Sequence, residues 1–123
     1  MLDKKFLTVQ NIMQQYIDGV YQGNVEKLKG FFHKKAVMNG FLGEQMLIGG
    51  PEPFFEDIGK NPSMSKMDIP YNGEITSIEI TGLTANVTIK ETGFAGTYNF
   101  INYFHLMKVD GEWKIMSKIF TSV

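Results

Sequence analysis

The sequence predicts an α+β domain in which a few N-terminal helices cover a curved, mainly antiparallel sheet supplied by the C-terminal half. Three observations carry this. Apolar residues recur at three- and four-residue spacing only in the first part of the chain, as a helix with one buried face requires. Period-two alternation dominates from Thr76 onward, as half-buried strands require. Asp110-Gly111, set between two long alternating runs, is a two-residue hairpin signal. Helices first and a strand meander last is an α+β order, because parallel βαβ units would need helices between the strands.

The first helix is expected from Lys5 to Tyr21, where Phe6, Val9, Met13, Tyr16, Ile17 and Val20 form the apolar stripe. Gly23 suits the left-handed residue that ends it, and Asn24 can cap a second short helix that points Val25, Leu28, Phe31 and Phe32 inward. Ala36 to Leu42 and Glu44 to Ile48 read as short strands, with Gly40 hinting at a bend or bulge in the first. Pro51 stands where the first turn of a helix tolerates it, and Glu52, Phe54, Phe55 and Ile58 give a third helix ended by Gly59. After the polar segment KNPSMSKMDIP come strands around Thr76–Ile80 and Leu83–Ile89, turned at Gly82, then Thr97 to Val109 and Glu112 to Val123.

The chain has 123 residues, enough for one domain over residues 1–123 that buries about two thirds of its unfolded surface. Hydrophobic residues are 43% and charged residues 20%, near globular averages, which excludes a disordered or fibrous chain. All twelve basic residues are lysine and the net charge is −1. Lacking the planar fork of arginine, the chain is a poor candidate for nucleic-acid or phosphate recognition. It has no cysteine, so disulfides, thiolate chemistry and Cys-type zinc sites are excluded. Polar residues break each apolar run of MLDKKFLTVQNIMQQ before a signal-peptide core or membrane span forms, which makes the cytoplasm the default location unless a leader has been removed.

A turn at Asp110-Gly111 pairs Val109 with Glu112 and, continuing outward, Leu106 with Ile115 and Phe104 with Ser117. Paired residues share a face. One face then carries Phe100, Asn102, Phe104 and Leu106 with Trp113, Ile115, Ser117 and Ile119, and is expected beneath the helices. The other carries Ile101, Tyr103, His105 and Met107 with Lys114, Met116, Lys118 and Phe120. This second face is too apolar to stay bare, and a homodimer through the sheet is expected to cover it.

The stretches YIDGVYQGNVEKLKGFFHKKAV and NYFHLMKVDGEWKIMSKIF resemble the lumazine-binding, SnoaL-like group of the nuclear transport factor 2-like superfamily. Polyketide-cyclase-like and ketosteroid-isomerase-like proteins are more distant members. The resemblance implies a cystatin-like cone wrapped around the first helix, a pocket between helices and sheet, and a dimer through the outer sheet surface. Ketosteroid-isomerase-like members use a tyrosine on the first helix, an aspartate base near the end of the first strand and a second acid on a late strand. Tyr16 matches the tyrosine. The base position falls at Asn39 and Gly40, and Asn102 to Phe104 contain no carboxylate, so that mechanism lacks its proton-transfer groups.

The expected pocket is lined by Tyr16, Phe32, Asn102, Phe104, Leu106, Ile115 and Ser117. Asn102 and Ser117, polar among apolar neighbours, either pair with each other or with water, or orient a ligand. An alternative polar set, His33, Tyr103, His105 and Lys118, lines the pocket if the faces of the last hairpin are reversed. His33 is otherwise a cap at the end of the second helix, favoured by the helix dipole. The two histidines have no metal-ligand spacing, and no phosphate loop or dinucleotide fingerprint occurs, so neither metal nor nucleotide cofactor is expected. The leading functional reading is a domain that binds a small, apolar or aromatic molecule. A cofactor-independent isomerase, dehydratase or cyclase is a second, and an association module using the outer sheet face a third.

Overall fold

The computed structural model describes residues 3–60 and 62–123. Met1 and Leu2 of the N-terminal stretch, and Asn61 of the polar segment, lie outside the described residues. Helix α1 spans Lys4–Gln22, and its stripe of Val9, Met13, Tyr16, Ile17 and Val20 is buried. Asp3 caps its start by accepting the Lys5 N–H at 2.7 Å. Gly23 ends it at φ 69°, a left-handed conformation in which its N–H reaches the Gly19 and Val20 carbonyls. Asn24 accepts the Lys27 N–H at 3.2 Å and opens helix α2, Val25–Phe31.

Strand β1 follows without a loop, from Phe32 to Leu42, and turns back into β2, Gln45–Gly49. Helix α3, Glu52–Gly59, comes next. The remaining strands are β3 (Asn72–Thr81), β4 (Thr84–Phe94), β5 (Tyr98–Val109) and β6 (Glu112–Ser122). They form a six-stranded sheet in the order β2-β1-β6-β5-β4-β3. Each neighbouring pair is antiparallel except β1 with β6, which is parallel, so the sheet is mixed and mainly antiparallel. Three helices on such a sheet make the expected α+β cone. Among the described residues, no helix is long and apolar enough to cross a membrane.

Two local expectations are corrected. His33 does not end α2: the helix stops at Phe31, and His33 lies in β1, where its Nδ1 accepts the Lys35 N–H at 3.0 Å. Leu83 sits in the turn after Gly82 and is 57% exposed, while the buried alternation of β4 begins at Ala85. Gly40 pairs with Leu47 on one side and Phe120 on the other, and a Cβ there would collide with the Phe120 carbonyl oxygen. Its role is close strand approach.

The final hairpin holds the largest departure. Near the turn the register is the expected one, with Lys108 opposite Trp113 and Leu106 opposite Ile115. The next pair is His105 with Ser117, so Met116 is an extra residue in β6 and the strand bulges there. Past the bulge every β6 side chain sits on the opposite face from the one simple alternation assigns. Phe104 therefore pairs with Lys118 instead of Ser117. Lys118 and Phe120 are buried at 4% and 8% exposure, whereas Ile119 is 47% exposed on the outer face. The neighbouring strand is irregular at the same level, since the β1–β6 register jumps from Phe32–Ile115 to Val37–Ser117. Bulged strands bend and twist more strongly, which supplies curvature where the cone opens.

Candidate functional site

Beyond the bulge, β1, β2, α3 and the inner faces of β4, β5 and β6 line a cavity of about 270 Å³ that opens to solvent on one side. Met38, Leu47, Phe54, Phe94, Phe100 and Phe120 supply most of its apolar wall. Its polar side chains are few: Glu91 from β4, Tyr98 and Asn102 from β5, Lys118 from β6 and Asp57 from α3. Asp57 is exposed, while Glu91, Asn102 and Lys118 are only 4%, 1% and 4% exposed.

Glu91 is on the inner face because the alternation of Ala85, Val87 and Ile89 continues for one more step. Both of its oxygens are held. Tyr71, just before β3, donates its hydroxyl to Oε2 at 2.5 Å, and the Asn102 amide donates to Oε1 at 2.7 Å. Asn102 also donates to the Ile89 carbonyl at 3.3 Å. A buried carboxylate is tolerated where hydrogen bonds replace water, and here neutral groups provide them.

Lys118 is held differently. Its Nζ donates to the Tyr16 hydroxyl at 3.0 Å and lies 4.2 Å from the centre of the Phe54 ring. Tyr16 is fixed in turn by edge contact with Phe104, ring centres 5.1 Å apart, and by stacking with Phe54 at 6.3 Å. Burial lowers the Lys118 pKa to about 8, with the Glu91 charge acting in the opposite direction. Burial, and secondarily the Glu91 charge, raises the Tyr16 and Tyr71 hydroxyls well above the usual phenol range, so both stay protonated near neutral pH.

Of the residues expected at the pocket, Asn102 lines the cavity and Tyr16 stands behind Lys118. Phe32, Phe104, Leu106 and Ile115 belong to the packed core beneath it. Ser117 is corrected: the Met116 bulge turns it to the outer face opposite His105, so it cannot pair with Asn102. The alternative set is divided. Tyr103, 49% exposed, and His105 stay outside as the preferred face assignment required, whereas Lys118 is brought inside by the bulge. His33 is not among the cavity-lining residues. At the isomerase base position, the Asn39 amide oxygen accepts the Gly49 N–H at 3.0 Å. Sequence reasoning missed Glu91 and Tyr71, although extending the β4 alternation by two residues would have found Glu91. Among the described residues, no three His, Asp or Glu side chains come together as metal ligands.

The buried lysine makes a pH-dependent prediction. A folded pKa of about 8 against an unfolded 10.5 means that the unfolded chain binds more protons between those values. Stability therefore rises as the pH climbs from about 8, until the tyrosines reverse the trend near pH 10, because their folded pKa values are raised. The depression corresponds to roughly 3 kcal/mol. In urea unfolding from pH 7 to 9.5, Lys118→Met is expected to remove most of this rise and to be as stable as the parent or more so at pH 7. A parent protein with no rise over this range would contradict the assignment.

Three comparisons place the chain among known proteins. It is 23% identical over 107 residues to the aldolase FrzH of a Cladobotryum species, covering 87% of this chain and 82% of that one. An NTF2-like protein of unknown function from Shewanella baltica superposes with a TM-score of 0.84 at 22% identity, over 98% of this chain and 94% of the other. Another from Methylobacillus flagellatus gives a TM-score of 0.86 at 22% identity, over 100% and 95%. These structural likenesses establish the fold. The family described as "Putative lumazine-binding" matches residues 4–121, nearly the whole length, and the chain belongs to that family.

Proposed function

We propose that this domain binds a small molecule in the cavity beyond the Met116 bulge and works as a homodimer. The observation that carries the reading is the pair Glu91 and Lys118: both are nearly excluded from solvent, yet both face one apolar cavity. Burying two such groups is costly, and a folded core gains nothing from leaving a void beside them. A cavity of about 270 Å³ lies just below the usual range for drug-sized ligands, about 300 to 1,000 Å³, so the occupant is compact. Its walls ask for an apolar or aromatic body. Lys118 asks for an oxygen acceptor on that body, since Tyr16 is its one acceptor among the described residues.

An enzymatic reading is favoured by the same pair together with the relative named an aldolase. Glu91 as a base and Lys118 with Tyr16 as an electrophilic partner for a carbonyl oxygen suit proton transfer next to a carbonyl, the chemistry common to aldol, isomerase and dehydratase reactions.

The homodimer rests on the outer sheet face. Tyr103 pairs with Ile119, and Val37 and Met107 share the face, each between 44% and 49% exposed. This corrects the composition expected from the sequence, because Lys118 and Phe120 have moved inside and Ser117 and Ile119 have moved out.

In a thermal-shift screen of one- and two-ring compounds bearing carbonyl or enol oxygens, some should raise the melting temperature by several degrees. Ligand at about 100 times its Kd adds about 2.7 kcal/mol. Glu91→Gln and Lys118→Met should lose most of the shift; no hit in the parent, or hits unaffected by both changes, would remove the reading. Light scattering at micromolar concentration should give a dimer mass, converted to monomer by Tyr103→Lys with Ile119→Lys. A monomeric parent contradicts the dimer.

A further inference from the structure

We infer that Lys118 is a nucleophile, whose ε-amine attacks the carbonyl carbon of an aldehyde or ketone in the cavity and forms an imine with it. Such a step rests on the cavity being a small-molecule site, as proposed above, and narrows its occupant to carbonyl compounds.

The two buried charged residues are held separately. Neither of the ion pairs among the described residues involves Lys118. Glu91 spends both oxygens on the neutral donors Tyr71 and Asn102. Lys118 has one acceptor, the Tyr16 hydroxyl at 3.0 Å, although an ammonium has three N–H groups to satisfy. A structural salt bridge would have joined the two groups. Kept apart on one cavity, they leave the lysine nitrogen free to meet a ligand, and desolvation favours its neutral, nucleophilic form.

The step balances with the groups present. The neutral amine adds to the carbonyl carbon, forming the C–N bond, while the nitrogen passes a proton to the former carbonyl oxygen with Tyr16 as relay. The resulting carbinolamine takes back from solvent the proton that the ammonium gave up when the amine became neutral, its hydroxyl leaves as water, and the protonated imine remains. Glu91 can then take a proton from the carbon next to the imine, giving an enamine and a neutral carboxylic acid. No oxidant, metal or further reactant is consumed.

The test uses the unaltered protein with benzaldehyde and limiting sodium cyanoborohydride near neutral pH, followed by peptide mapping. Lys118 should be benzylated roughly tenfold or more faster than any other lysine. In a second readout, acetone in deuterium oxide should exchange its hydrogens in the presence of the protein. Exchange should be lost in Lys118→Met and Lys118→Arg, and reduced in Glu91→Gln. Labelling confined to surface lysines, with Lys118 untouched while ligands still shift the melting temperature, would overturn the imine and leave the binding site standing. Loss of the thermal shifts as well would remove both. The mapping requires no substitution, so a variant that fails to fold does not decide it.

Discussion

One inserted residue, Met116, sets what the inside of this molecule can do. In an uninterrupted β6, Ser117 and Ile119 would point beneath the helices and Lys118 would face water. The bulge exchanges them, so that an amine enters the cavity and an isoleucine is left on the outer face. Both proposed surfaces depend on it: the cavity gains its nucleophile and the dimer face gains its apolar centre. The irregularity of β1 at the same level means that the sheet bends across two neighbouring strands, and it is beyond this bend that the cavity opens.

The cavity's polar groups sit on a scaffold whose strength lies elsewhere. Below the bulge, Val9, Met13, Leu28, Leu106 and Ile115 are almost completely excluded from solvent and pack helices on sheet. Tyr16 belongs to both regions. Its ring is core, between Phe104, Phe32 and Phe54, while its hydroxyl is the contact that orients Lys118. A side chain locked by packing on three aromatic neighbours holds its hydroxyl in place without a loop to do so, as a preorganised site requires. Glu91 is fixed comparably through Tyr71, which stacks on Tyr21 of α1 at 5.9 Å.

Much of the architecture was legible because local signals agreed with one another. The helix stripe, the glycine stop at Gly23, the Asn24 cap and the Asp110-Gly111 turn each act over a few residues, and each is a local matter of sterics or hydrogen bonding. The Phe100 to Leu106 face was readable for the same reason. Ser117 and Lys118 were misplaced because a bulge has no strong local signature: Lys-Ile-Met-Ser-Lys-Ile alternates acceptably in either register, and only the partner strands fix the slip. Met64, buried at 8% within a segment that reads as polar, was hidden likewise, since its environment comes from distant elements. Glu91 was overlooked because a carboxylate usually marks the end of a buried strand face, whereas here Tyr71 and Asn102, twenty and eleven residues away, make its burial acceptable.

Every role proposed for the cavity requires Lys118 to lie inside the cone, away from water. Carbon-13 NMR of the lysine ε-carbons, with the Lys118 signal identified by its absence in Lys118→Met, measures this directly. The expected result is a titration midpoint near 8, lowered by burial. A Lys118 signal that titrates with free lysine, at about 10.4, would put its amine in solvent and contradict the bulge, the cavity and the chemistry drawn from them.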